Sequence, residues 1–365
     1  MTESTCALPT VLVAGAGAIG GTLAARLAAA GARVDLLARG RTLAALRADG
    51  LRLDDLDGHW QVPAATTGEP AAADDTAPLR VIASAAEARP PDLLLLASKS
   101  QDLTGLVAAA APAIAPHTLV LPLVNGVPFW YFHGHGGRFD GQPVRAVDPE
   151  GALLRALPMD RVLGAVVFVT AESDGPGRLR SQTPHLLMLG EPDTTAHPPA
   201  DGPSARLQRV CGWLQAAGIG CRALPRLRDK LWTKLIANLT SNPLSVLTGA
   251  TLRRIYSEPA LLDTVHAVMH EVMLTAAAYG ARLEIDPIEF VRLGAGMGEF
   301  RTSMLQDVER GRPLELAAIG DAVVELAERY GLPVPATRRL LLQTRWHAEQ
   351  RAAACPATYP ATCTT

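Results

Sequence analysis

VLVAGAGAIGG (residues 11–21), running on into TLAARLAAAG (22–31) and RVDLLA (33–38), decides the fold. The first five residues are apolar and suited to a buried strand. The Ala/Leu-rich stretch that follows is a strong helix former, and RVDLLA is strand-like again, so the order is β-α-β. Between strand and helix lies Gly15-Ala16-Gly17-Ala18-Ile19-Gly20. In this context Gly15 permits a tight turn, Gly17 lets backbone approach a pyrophosphate, and Gly20 lets helix and strand pack closely. The N–H groups of the turn and of the helix start, at Ala18 and Ile19, face the phosphates. The motif therefore predicts dinucleotide binding.

The end of the second strand selects the dinucleotide. Proteins that bind the unphosphorylated form usually place an acid there to accept from the ribose 2′-hydroxyl. Here the residues are Ala38-Arg39-Gly40-Arg41, and the nearest acid, Asp35, lies inside the strand. A guanidinium suits a 2′-phosphate, so Arg39 predicts NADPH. The plain alternative is a pair of solvated arginines at Arg39 and Arg41.

Length and composition bound the rest. The chain has 365 residues, enough for two domains, and is 48% hydrophobic and 19% charged, a folded globular composition. A net charge of -2 offers no basic surface for nucleic acid or anionic membrane, which leaves a small molecule as the expected partner. The five cysteines (Cys6, Cys211, Cys221, Cys355, Cys363) include no CxxC pair, which predicts neither a disulfide framework nor a metal site. With no signal-like N-terminus and no membrane-length apolar run, the expectation is a soluble protein of the reducing cytoplasm.

The expected fold class is α/β, a Rossmann-type doubly wound sheet followed by an all-helical C-terminal domain. DLLLLAS (92–98), TLVLPLV (118–124), RVLGAVVFVTA (161–171) and the stretch around LRSQTPHLLMLG (179–190) supply further strands, giving a first domain over 1–225. A Gly/Pro-rich segment at about 128–158 interrupts it as an insertion opened by Phe129-Trp130-Tyr131-Phe132. These aromatics either cover a bulky substrate or anchor a long loop to the protein or to a second subunit. Helical periodicity rules over 226–350, with breaks expected at Asn242-Pro243, Gly280, Gly311 and Gly331. A small-residue tail, 351–365, is expected to be poorly ordered.

Ligands of such sheets sit at the carboxyl ends of the strands, where Lys99 and Asn125 fall. Each also has an ordinary explanation, a surface lysine and an Asn-Gly turn. In RDKLWTKLIANLTSNPL (228–244), Lys230, Lys234, Asn238 and Asn242 recur every four residues, a narrow polar stripe flanked by apolar neighbours. It reads either as one wall of a polar groove or as the rim of an exposed helix. In SMLQDVERGRPLEL (303–316), Ser303 suits a helix cap and Glu315 the first turn of a new helix near Pro313, so spacing alone assigns neither a function.

Taken together, GAGAIG, Arg39, SKSQ around Lys99, VNG around Asn125, KLWTKLIANLTSNPL and SMLQDVERGRPLEL resemble the ketopantoate reductase family, in order and distance, over nearly all the chain except the insertion and tail. The resemblance implies NADPH-dependent reduction of 2-dehydropantoate in pantothenate and coenzyme A biosynthesis, with substrate in a cleft between the domains and no metal. It implies Lys234 as proton donor, and Asn125, Asn238, Asn242 and Ser303 as substrate ligands. It further implies Gly15, Gly17, Ala18, Ile19, Gly20, Arg39, Lys99, Asn125, Ala171 and Glu315 around the cofactor, and is compatible with a homodimer. One departure stands out: after Asn242-Pro243 the family often supplies a further asparagine, but here the stretch is LSVLTGATLRRI (244–255). That departure and the aromatic insertion leave another branched or aromatic 2-keto acid as an alternative substrate. A nucleotide-sensing protein without catalysis is the alternative of another class.

Overall fold

A computed structural model describes residues 8–65, 77–193 and 202–354. The first eleven strand and helix segments from the N-terminus are β1 (Thr10–Ala14), α1 (Ala18–Ala29), β2 (Arg33–Leu37), α2 (Gly40–Asp49), β3 (Leu51–Asp55), β4 (Gly58–Val62), β5 (Leu79–Ile82), β6 (Leu93–Leu96), α3 (Leu103–Ala110), β7 (Leu119–Pro122) and α4 (Ala152–Ala156). Then come β8 (Gly164–Phe168), β9 (Ala171–Gly175), β10 (Arg178–Ser181), β11 (Leu186–Gly190), α5 (Ala205–Ala216) and β12 (Gly220–Ala223). Helices follow: α6 (Leu227–Thr248), α7 (Leu252–Ile255), α8 (Pro259–Ala278), α9 (Pro287–Gly296), α10 (Ser303–Glu309), a π-helical stretch Ala317–Asp321, α11 (Ala322–Arg329) and α12 (Pro335–Ala354). The chain divides into two compact units, one of residues 1–125, 129–143 and 148–227, the other of 126–128, 144–147 and 228–365.

In the first unit a parallel sheet runs in the order β5-β2-β1-β6-β7. Its strands read as continuous apolar runs because both faces are covered, and Val11, Val13, Leu36, Leu93 and Leu95 are within 1% of complete burial. The order reverses at β1, whose neighbours are β2 and β6, so the topological switch point lies at the C-terminal end of β1. A second sheet, β4-β3-β10-β9, packs against α1, and a third, β12-β11-β8, continues the unit. Arg26, in the last turn of α1, clamps these parts together. Its guanidinium bonds Asp55 (3.3 Å), Asp57 (2.7 Å) and the carbonyls of Ala217 and Gly218, and lies 4.5 Å over the Trp60 ring.

Asp35, fully buried in β2, has a structural partner. Arg89 donates to it through its backbone N–H (2.7 Å), Nε (3.1 Å) and Nη2 (2.7 Å), and Arg80 Nε lies 3.5 Å away.

The four aromatics that open the insertion are buried to 0–1% exposure. Trp130 packs on the backbone of Gly164, where even a methyl group would come within 2.7 Å of the ring, while Phe132 and Phe139 approach to 5.6 Å. They anchor the loop to its own chain and leave no ring surface for a substrate. Further along, Glu325 of α11 accepts from the backbone N–H of Arg145 (3.0 Å) and Ala146 (2.8 Å), tying that part of the insertion to the helical unit.

The second unit is helical throughout its described residues after 228, with α11 and α12 against α8. Buried Glu271 of α8 accepts from the N–H groups of Ala336 and Thr337 (both 2.8 Å), satisfying two orphan donors at the start of α12. Three expectations are corrected here. Asn242-Pro243 does not break the helix: α6 runs through Pro243 to Thr248. Hydroxyl groups bond back to the carbonyls around it, Thr240 to Ile236, Ser241 to Ala237, Ser245 to Asn242 and Thr248 to Leu244, and tertiary burial outweighs the cost of the proline. The expected tail begins inside α12, which carries Arg351–Ala354; residues 355–365 lie outside the described part. Cys211 and Cys221, distant by pattern, meet with sulfurs 2.7 Å apart as buried free thiols, brought together by α5 and β12. Cys6, Cys355 and Cys363 lie outside the described residues. Among the described residues no helix is long and apolar enough to cross a membrane.

Replacing Asp35 by Asn removes the carboxylate that buried Arg89 is paired with, and removing one member of such a pair costs about 3–5 kcal/mol. The expected result in urea or thermal unfolding is a large loss of stability. A change of dinucleotide preference at unaltered stability would instead assign Asp35 to the ribose.

Candidate active site

The glycine turn is shaped by close backbone approaches. Gly15 has φ +103°, and a Cβ there would lie 2.3 Å from the carbonyl oxygen of Ala97, the residue that follows β6. A Cβ on Gly20 would lie 2.0 Å from the oxygen of Gly15 and 2.9 Å from the Ala97 side chain. The first turn of α1 therefore closes on the ends of both central strands, locked by the bond from Ala97 N–H to Ala14 O (2.8 Å). Gly17 differs: a Cβ there meets nothing within 4 Å. It is exposed, extended (φ -78°, ψ -171°), and precedes α1 without a side-chain cap. The N–H groups of Ala18 and Ile19 in the first turn consequently have no intrahelical acceptor. An open cradle of N–H groups at a helix start, with no Cβ in the way, fits a pyrophosphate.

Arg39 stands two residues past β2, whose last residue pairs in register with Ala14 at the end of β1. It is the exposed N-cap residue of α2, and among the described residues neither Arg39 nor Arg41 pairs with an acid. Asp35 is held by Arg89 inside β2, and the exposed cation at the strand end is Arg39. Lys99 follows β6 and Asn125 follows β7, adjacent strands that end in register at Leu96 and Pro122, so both lie at the carboxyl edge of the sheet. Ala171 opens β9 in the sheet that packs on α1, half-buried against the core.

In the helical unit, Lys230, Lys234 and Asn238 are half-buried and Asn242 is 4% exposed, so the stripe runs from partial shelter into the interior. A solvated rim would be open along its length. Leu231, Trp232, Leu235, Ile236 and Leu239 on its flanks are core residues. Burial pushes the Lys234 ammonium down to about 8, opposed by the attraction of Glu315, which favours the charged form. An amine poised near neutrality can give up a proton during turnover.

Two cap expectations are corrected. Thr302 caps α10, its Oγ1 accepting from Leu305 N–H at 3.2 Å, and Ser303 occupies the first helical position with an exposed side chain. Glu315 precedes its helix: its carbonyl accepts from Ile319 N–H (3.1 Å), helical residues begin at Leu316, and the π-helical stretch follows. Such π-bulges store a local irregularity often found at functional sites. Gly126 (φ +85°) lies against it, its would-be Cβ 2.4 Å from the Ala318 carbonyl, and Val127 N–H donates to Ala318 O at 2.8 Å. Sequence reasoning missed this contact and the hydroxyl pair Ser245–Thr302. The Gly in VNG was a signal for the first, whereas nothing local signalled the second.

Two family models match the chain: "Ketopantoate reductase PanE/ApbA" over residues 11–194 and its C-terminal counterpart over 226–345. A 2-dehydropantoate 2-reductase of Mesorhizobium japonicum is 37% identical over 343 residues, 93% of this chain and 98% of that one. The crystal structure of a candidate ketopantoate reductase from Ralstonia solanacearum aligns with a TM-score of 0.83 at 36% identity, covering 95% of this chain and 99% of the other. That of a PanE/ApbA family ketopantoate reductase from Ralstonia eutropha gives 0.75 at 27%, covering 94% and 99%.

The glycines separate by substitution. Gly17→Ala is expected to fold with unchanged Tm yet bind dinucleotide at least tenfold more weakly by fluorescence titration, since its methyl fills only the open cradle. Gly20→Ala collides with backbone and is expected to lower Tm as well; equal behaviour of the two variants would contradict this assignment.

Proposed function

Because the chain belongs to the ketopantoate reductase PanE/ApbA family, we propose that it reduces 2-dehydropantoate to pantoate with NADPH. The observation that carries this reading is the Lys234-Asn238-Asn242 stripe, sheltered rather than solvated, with an amine of lowered pKa facing the charge of Glu315. The reading assigns the pyrophosphate to Gly15, Gly17, Ala18, Ile19 and Gly20, the 2′-phosphate to Arg39, and the rest of the dinucleotide to Lys99, Asn125 and Ala171.

When bound, NADPH supplies the hydride that the ketone carbon accepts. The protein's part is to manage the charge that grows on the carbonyl oxygen. Lys234 donates a proton to that oxygen, and Asn238 and Asn242 offer amide donors that hold it in place. Ser303, released from capping, gives its hydroxyl to the substrate carboxylate. Glu315 keeps Lys234 protonated and stands toward the nicotinamide and substrate. No residue needs a metal in these roles.

A second reading, reduction of another branched 2-keto acid, is favoured by the absence of an asparagine from LSVLTGATLRRI. Burial of Phe129–Phe132 removes the aromatic version's main support. NADPH oxidation across a panel of 2-keto acids, compared by kcat/KM, decides between them; no turnover with 2-dehydropantoate would overturn the main reading.

Lys234→Ala is expected to cut kcat by about 10²–10⁴-fold, the usual worth of a placed acid, with NADPH binding retained. A nucleotide sensor would show no turnover to lose. Since Lys234 acts as the protonated form and its pKa is lowered to about 8, kcat/KM for reduction should be level below that pH and fall about tenfold per unit above it. Glu315→Gln removes the charge that raises this pKa and should shift the break to lower pH.

Arg39→Ala should weaken NADPH roughly tenfold to hundredfold, as for a lost hydrogen bond to a charged group, and leave NADH nearly unchanged. Equal losses for both dinucleotides would refute the 2′-phosphate assignment.

A further inference from the structure

We propose that Ser245, acting through Thr302, is a positioning residue that holds Asn242 on α6 in register with Ser303 on α10 and so sets keto-acid affinity without touching the substrate. This rests on the reading that Asn242 and Ser303 bind the keto acid.

Ser245 is fully buried, and Thr302 is 3% exposed. Ser245 Oγ lies 2.6 Å from the carbonyl oxygen of Asn242 and 2.6 Å from Thr302 Oγ1, across a separation of 57 residues in the chain. A backbone carbonyl can only accept, so the single Ser245 proton goes to Asn242 O. The Thr302 proton must then go to Ser245 Oγ, and the Thr302 oxygen accepts the N–H of Leu305. Direction is thereby determined along the whole chain, from Leu305 N–H through Thr302 and Ser245 to Asn242 O. Every hydroxyl is used as both donor and acceptor, which rigidifies a buried network.

The two ends are the residues that matter for the proposed substrate. At one end lies the backbone of Asn242. At the other, Thr302 caps α10 and thereby leaves the adjacent Ser303 hydroxyl exposed and uncommitted to capping. Without the link, α10 is still capped by Thr302, but the hydroxyl contact from its start to α6 is lost. Thr240 provides the contrast: it is also fully buried on α6, also bonds back to a carbonyl, and reaches another hydroxyl, Tyr256 Oη at 2.8 Å, which approaches the Ala237 carbonyl (3.4 Å) rather than the start of α10. Hydroxyls of the same kind on one helix thus serve different neighbours.

The test is steady-state kinetics with NADPH and 2-dehydropantoate on the full chain. Ser245→Ala breaks the link and leaves the Thr302 cap in place, whereas Thr302→Val breaks it together with that cap, so a folding failure in either leaves the other. Both are expected to raise KM for the keto acid about tenfold, with KM for NADPH unchanged and kcat within about threefold. The double variant should be no worse than either single, and Thr302→Ser, which keeps the hydroxyl, should restore the wild-type KM. Thr240→Val should lower Tm comparably and leave the keto-acid KM unchanged. Unchanged KM in both link variants, or the same KM rise in Thr240→Val, overturns the proposal while the reductase reading stands. A wild-type protein without turnover on any 2-keto acid of the panel overturns both.

Discussion

Everything in the first unit depends on how closely two strand ends and a helix can approach at the switch point. The backbones at Gly15, Gly20 and Ala97 meet at distances no Cβ would permit at either glycine. That closeness puts the first turn of α1 directly above the ends of β1 and β6, so its unpaired N–H groups point out of the sheet edge. Bulk at either position would lift the helix and pull the N–H groups out of line. Gly17 is the complementary case, where a Cβ would meet nothing within 4 Å.

The polar residues of the sheet are sorted by burial into scaffold and site. Asp35, Arg89 and Arg26 are charged yet spent on internal partners, where multiple hydrogen bonds offset the cost of desolvation. Arg39, beyond the strand, keeps its guanidinium in solvent. The same logic runs in the helical unit. Glu271 is consumed in capping α12, whereas Lys234 is left in an environment that disfavours its charge and is only partly compensated by Glu315.

Continuity of α6 through Pro243 is what places Asn242 and Ser245 on one rigid element. A helix break there, as the Asn-Pro pair suggests, would have uncoupled the polar stripe from the hydroxyl contact to α10. The burial of Asn242, Leu244 and Ser245 keeps the helix whole through Pro243. Local propensity was the wrong guide because it counts the proline's lost hydrogen bond but not the packing of the surrounding turn.

The β-α-β opening, the strands at β6, β7, β8 and β11, the glycine roles and the helical second half were legible in the sequence, because periodicity and glycine spacing are local quantities. The Lys234-Asn238-Asn242 stripe was legible for the same reason, as positions on one helix face. What the stripe faces was not. The pairing of the β3–β4 hairpin with β9–β10, the Ser245–Thr302 contact, the burial of the aromatic quartet and the meeting of Cys211 with Cys221 each depend on residues apart in the chain. Local spacing carries no information about such pairings. The sequence by itself determined the β-α-β opening with its glycine turn and the placing of Lys234, Asn238 and Asn242 on one helix face. Only the tertiary structure decided which of the charged groups were already satisfied and which hydroxyls held others in place, because hydrogen-bond satisfaction and desolvation arise from packing between distant segments.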